Sequence, residues 1–299
     1  MSVMPQIKHI IYYMLENRSF DNILGWLYEG NDRPAHVIAG PRTVDLPFQG
    51  LAGGDHYNSF DEEPCTRHYV VRGVEKDNIP AFDPHEPFEH VNVQLFGSNW
   101  AGKDVPYGTP PTMSGFLQDY SSALKGPLAA LADAGGQVGA LAKAHSESIS
   151  REEALQILQT NSPSDLPVMN GLARSFGVSD LWFASVPTQT FANRAFSVCG
   201  TSLGLVDNAT SLFGYVPHKF NTKSIWNVLS DNGFNQPADW MVYHQTKQLG
   251  AFCLTQCAFD IPEPERHLTH AQALLDAIDS DTLPRFSYLE PSWLRHDVI

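Results

Sequence analysis

Residues 7–14 form an almost uninterrupted apolar run that ends abruptly in an acid and an amide, Glu16 and Asn17. Such a run predicts a strand covered on both faces by helices, as in a parallel sheet, delivering two oxygen-bearing side chains to its carboxyl end. In open α/β sheets that rim gathers ligands and metals. Residues 17–27 then follow a helical period, with Asn17 as the cap and Phe20, Ile23, Leu24 and Leu27 on one face.

From about 29 to 83 the pattern dissolves into Gly, Pro, Asp and His, which predicts a long irregular insertion. Ser150 with Glu153 three residues later makes a capping box opening a helix. A second helix is expected over 165–175, ended by Gly177, then a strand over 178–186, a turn through Pro187 and a helix from about Phe191. This arrangement sets Thr190 at the sheet rim. Helix over 224–229, strand over 240–243, helix over 269–278 and strand over 286–289 continue the alternation, which argues for an α/β fold with a mostly parallel sheet flanked by helices. The Ala- and Gly-rich stretch at about 123–149 reads as a possible mobile insertion, and no linker splits the 299 residues into separate domains.

Composition narrows the partners. Lys plus Arg number 19 against 33 for Asp plus Glu, a formal charge of −14 that opposes binding to nucleic acid or to an anionic bilayer. Four cysteines are too few and too unevenly placed for a disulfide framework and are read as free thiols. No stretch reaches the length of a transmembrane span, and the first residues lack the order of a secretory signal. Cytoplasmic residence is the default expectation, with signal-independent export left open.

The block Leu15-Glu16-Asn17-Arg18-Ser19-Phe20-Asp21-Asn22 is followed in order by Asp83-Pro84-His85-Glu86, by Met113-Ser114-Gly115-Phe116 and by the segment from Asp180 to Arg194. Together these blocks resemble the bacterial and fungal phosphoesterase family that contains non-hemolytic-type phospholipases C and acid phosphatases. The resemblance implies an alkaline-phosphatase-like architecture and one phosphoesterase domain over 1–299. In relatives, further Asp and His residues follow the block at Glu290-Pro291, so the chain is expected to be an incomplete, C-terminally truncated domain.

The resemblance also assigns roles. Thr190 becomes the nucleophile of a phospho-threonine mechanism and His85 a contact to the phosphate; Glu16, a hard oxygen donor at a strand end, is the first candidate ligand to a divalent metal, together with Asn17 and Thr190, and Asn17 is also expected to hydrogen-bond a phosphate oxygen or the nucleophile. A threonine hydroxyl needs such activation because almost none of it is ionised at neutral pH. By spacing alone, a helix N-cap is the stronger reading of Thr190 and an exposed acid beside a cap that of Glu16, while His85 reads equally as a solvated loop residue. Asp55, His56 and His90 are weaker candidates, read as surface residues. Asn193 and Arg194 would support the site, with Arg194 paired to a carboxylate such as Asp180, while Trp182 and Phe183 read as core.

Oxygen ligands suit calcium or magnesium, and added histidines would favour zinc or iron, so the sequence leaves the ion's identity open. The function expected is metal-dependent hydrolysis of a phosphoric ester, a phospholipid of the phosphatidylcholine type or a small phosphate ester. Three readings remain: phospholipase C, acid phosphatase on monoesters, or an inactive fragment or pseudoenzyme serving as a binding module.

Overall fold

The computed structural model describes residues 6–16, 18–38, 47–60, 65–73, 84–132, 151–208, 219–244 and 253–291. Contacts divide the chain into two compact units, Met1–Asn17 with Thr188–Ile299, and Arg18–Pro187. The strands among the described residues are β1 (Ile10–Tyr13), β2 (Tyr57–Asn58), β3 (His68–Tyr69), β4 (Val71–Arg72), β5 (Gln159–Thr160), β6 (Trp240–His244), β7 (Leu268–His270) and β8 (Phe286–Leu289).

In the first unit, β1, β8, β6 and β7 lie in that order in one sheet, and every pairing is parallel. Tyr13 and Tyr243 both stand in register with Leu289, and His244 with His270, so the carboxyl ends of the four strands share one rim. The α/β alternation read from the sequence thus yields the expected parallel sheet flanked by helices, consistent with an alkaline-phosphatase-like fold. Its core is a continuous apolar cluster in which Trp226, Trp240, Val242, Phe259 and Tyr288 are essentially solvent-free. Tyr288 is central to this cluster, stacking on Tyr12 at 5.6 Å and meeting Trp226 edge-on at 5.3 Å.

Two expectations about this unit change. Strand β1 is at the edge of the sheet, with Ile10, Ile11 and Tyr13 exposed, so the described residues do not cover it on both faces as its apolar run suggested. The helix expected from Thr269 begins at Gln272, because Leu268–His270 pairs with β6 as a strand and the helix follows it. The helix Ile225–Asp231 keeps its expected start: Ser224 and Asn227 form a reciprocal capping box.

The second unit is built on helices. Leu117, Tyr120, Ala123 and Leu124 of the helix Phe116–Ala132 pack with Phe60, Ala154 and Leu158. The putting-together of this helix was missed at the sequence level although its apolar positions recur at helical spacing. The stretch at about 123–149 therefore begins inside a helix, and residues 133–150, with the capping serine Ser150, lie outside the described residues. The next helix does begin at Arg151. Between residues 29 and 73 the described segments hold only the two-residue strands β2, β3 and β4.

The first helix runs from Phe20 to Leu24, and its cap is Ser19, whose hydroxyl oxygen accepts from the Asn22 amide. Ser19 takes the role expected of Asn17, which lies outside the described residues. No strand forms over 178–186, because the segment leaves the helix Pro167–Ser175 as an irregular loop. Trp182 and Phe183, expected in the core, are 81% and 75% exposed on that loop. Asp180 instead accepts a hydrogen bond from the Gln49 amide at 2.7 Å.

Candidate functional site

Three residues past β1, Glu16 reaches the amino end of the ten-residue helix Thr190–Cys199. The Thr190 hydroxyl donates to Glu16 Oε1 at 3.0 Å. Arg194, four residues on and therefore on the same helix face, directs Nε and Nη2 at the other carboxylate oxygen, Oε2, at 3.1 and 2.9 Å. Two donors converging on Oε2 turn Oε1 toward the threonine.

Arg194 is 1% exposed, so its remaining donors must also be met. Nη2 bonds the Met14 carbonyl and Nη1 the Tyr288 hydroxyl. Burial pulls its pKa down, but Tyr288 and Glu16 outweigh that and hold it above the ordinary arginine value. Arg194 thus pairs with Glu16, not with a carboxylate such as Asp180. Glu16, just past the end of β1, meets the helix face that carries Arg194.

Thr190 is the first residue of its helix; the cap position belongs to Gln189. The N-cap reading of Thr190 accordingly fails, leaving its hydroxyl directed at Glu16. The preceding turn is pinned from within the helix: Asn193 Nδ2 donates to the carbonyls of Thr188 and Gln189 at 3.0 and 3.1 Å. The neighbouring hydroxyl, Thr188, is committed to the Val206 carbonyl at 2.6 Å. Cysteine is no rival nucleophile here, since burial pushes the Cys199 thiol up to about 11 and drives that of Cys253 higher.

The same rim carries groups to which the sequence reading assigned no role. Glu290, directly after β8, is fully buried and accepts from the amides of Leu254 and Thr255 and from the Cys253 thiol. His244 closes β6, is 6% exposed, and its Nδ1 has no hydrogen-bond partner among the described residues. His270 stands beside it in register, with its ring centroid 6.3 Å away. The available signal was positional: each lies at or just after a strand's carboxyl end.

In the second unit, His85 joins His90 and Asp119, a group chemically able to hold a metal ion. Gly115, in the third sequence block, makes this possible. A Cβ there would lie 1.8 Å from the Val93 carbonyl oxygen, so only glycine lets the helix Phe116–Ala132 start against the helix Phe88–Phe96. Asp119, one turn on, then meets His90, whose Nδ1 lies 2.7 Å from Oδ1. His90 is a partner in this group and not the bystander expected, while Asp119 went unnoticed because an isolated acid in an apolar helix has no motif. Asn17, and Asp83 of the second block, lie outside the described residues.

The Phosphoesterase family matches residues 7–297, nearly the whole chain and both units. The chain belongs to the phosphoesterase family. Among relatives, it is 28% identical to non-specific phospholipase C1 of Arabidopsis thaliana over 98% of this chain and 44% of that protein. It is 30% identical to non-specific phospholipase C5 and 29% to non-specific phospholipase C4 of the same plant, over 76% and 77% of this chain and 36% and 35% of theirs. This phosphoesterase chain thus spans less than half the length of the relatives it matches.

Two outcomes follow for the first unit. Replacing Arg194 by Met leaves Glu16 without its buried counter-charge and should cost on the order of 3 kcal/mol of stability. A denaturant midpoint equal to that of the parent would contradict this account. Burial also drives the His244 imidazole below its ordinary value, against the opposing pull of Glu290 and with a small push from His270. The folded unit therefore prefers the neutral ring. As pH falls through about 6.5, the unfolded chain takes up the proton first and stability is lost until the lower folded value is passed. Melting temperatures of the parent should fall more between neutral and mildly acidic pH than those of His244→Phe, whereas parallel pH profiles would remove His244 from that role.

Proposed function

We propose that this chain is a metal-dependent phosphoric ester hydrolase that acts as a phospholipase C on phosphatidylcholine-type lipids, with Thr190 as nucleophile. The observation that carries the reading is the Thr190 hydroxyl bonded to a carboxylate that a buried arginine holds in place. Membership of the phosphoesterase family and likeness to proteins named non-specific phospholipase C support the reaction class and the lipid.

The donor set at the rim fits a hard divalent cation. Glu16 Oε1 and Thr190 Oγ1 are oxygen donors lying side by side, the donor type that such an ion takes. Glu16 and Thr190, with Asn17 as the sequence suggests, would hold the ion. When bound, it supplies Lewis acidity to the hydroxyl and to the phosphoryl oxygens.

The residues of the chain do the rest. Thr190 Oγ1 attacks phosphorus as the bond to the glyceryl oxygen breaks and the diacylglycerol leaves with a proton from solvent, giving a threonine phosphodiester that keeps the head group until water releases it as phosphocholine. Glu16 Oε1 is placed to take the hydroxyl proton along the existing hydrogen bond. Arg194 keeps that carboxylate oriented, and Asn193 holds the turn that presents Thr190. The positive end of the helix Thr190–Cys199 favours the phosphoryl anion next to its first residue. No helix among the described residues is long and apolar enough to cross a membrane.

Hydrolysis of p-nitrophenyl phosphorylcholine by the purified chain, measured over a panel of divalent metals, tests the proposal. Metal-dependent turnover is expected, reduced at least about a thousandfold by Thr190→Ala and partly kept by Thr190→Ser. Undiminished turnover in Thr190→Ala would overturn the mechanism. Preference for p-nitrophenyl phosphate would favour a phosphomonoesterase, and silence on both esters from a folded chain would favour a binding module.

A further inference from the structure

The group around Asp119 has features that a simple buried hydrogen bond does not require. His90 sits on the helix Phe88–Phe96 and Asp119 on the helix Phe116–Ala132, while His85 approaches from the loop before the first of these. Both imidazole side chains are 31% exposed, and the carboxylate is 3% exposed. Asp119 Oδ1 lies 2.7 Å from His90 Nδ1 and 3.7 Å from His85 Nδ1. The imidazole centroids are 3.9 Å apart.

The 2.7 and 3.7 Å nitrogen–oxygen distances bracket the ligand spacing around a tetrahedral ion. Ligands held about 2.0–2.1 Å from zinc stand about 3.3 Å from one another, and the ligand atoms of these three residues all lie within 4.8 Å of one another. His85 Nδ1 is buried and has no hydrogen-bond partner among the described residues. A buried ring nitrogen with no hydrogen-bond partner, beside a carboxylate oxygen, is a place that an ion would fill. The other carboxylate oxygen, Oδ2, is already fixed by Gln94 Nε2 at 2.8 Å, and the same nitrogen bonds the His85 carbonyl at 2.8 Å. Gln94 therefore orients one ligand directly and ties the backbone of a second, the arrangement by which outer residues tune metal affinity.

We propose that His85, His90 and Asp119 form a divalent transition-metal site of the zinc type, with three protein ligands and a solvent-facing fourth position. Two imidazole nitrogens against one carboxylate select zinc or cobalt over magnesium and calcium. The open fourth position is that of a site able to bind water or an anionic oxygen. The site lies within the second unit and stands independently of the Thr190 reading.

Metal-free protein should be titrated with Co2+, followed by visible absorption, and with Zn2+ against a chromophoric chelator, with Mg2+ and Ca2+ as competitors. One Zn2+ is expected to bind at this site and to displace Co2+ with its tetrahedral spectrum, in the presence of excess Mg2+. His85→Ala and His90→Ala, both at partly exposed positions, should lose the cobalt spectrum while keeping the parent's circular dichroism. Gln94→Ala should bind roughly 10–100-fold more weakly. Absence of stoichiometric Zn2+ binding, or a cobalt spectrum unchanged in both histidine variants, would overturn the proposal. Loss of the spectrum in Glu16→Gln with retention in His85→Ala would also overturn it, by placing the ion elsewhere.

Discussion

A buried guanidinium has to be neutralised, and at Arg194 that requirement organises the first unit's rim. The cation is 1% exposed and spends its donors on the Glu16 carboxylate, the Met14 carbonyl and the Tyr288 hydroxyl. These partners come from the end of the edge strand and from the central strand β8, so one side chain couples the register of the sheet to the placement of a carboxylate. Tyr288 in turn belongs to the aromatic core with Tyr12 and Trp226. The orientation of Glu16 toward Thr190 is therefore backed by hydrophobic packing as well as by charge.

The same economy of placement recurs along the rim. Glu290 closes β8 by accepting two backbone amides, and His244 and His270 close β6 and β7 as registered neighbours. Parallel strands that end together bring residues distant in sequence into one row. In the second unit an analogous result is reached without a sheet, through the close approach of two helices that Gly115 permits, which carries Asp119 to His90 and His85.

Much of this was legible in the residues. The edge of the apolar run at Glu16, the alternation of helix and strand through residues 224–289, and the block containing Thr190 each marked a real feature of the fold. What escaped reading has physical causes. Strand β7 is three residues long and abuts a helix, so its period could not be separated from the helical one. Trp182 and Phe183 were assigned to the core by hydrophobicity, yet their loop has no ladder to hold them inward. Arg194 found its partner 178 residues earlier, a separation over which sequence spacing carries no information. Asp119 lacked a motif because its partners lie on a different helix and a loop.

The central claim is that Thr190 carries the phosphoryl group. It is tested most directly by mixing the metal-loaded chain with a p-nitrophenyl phosphoester, quenching in acid during turnover, and mapping the phosphorylated peptide by mass spectrometry. The account predicts the substrate's phosphoryl group on Thr190, as its phosphocholine diester from p-nitrophenyl phosphorylcholine and as phosphothreonine from p-nitrophenyl phosphate, absent from Thr190→Ala. A phosphoryl group on any other residue, or continued turnover by the alanine variant, would contradict it.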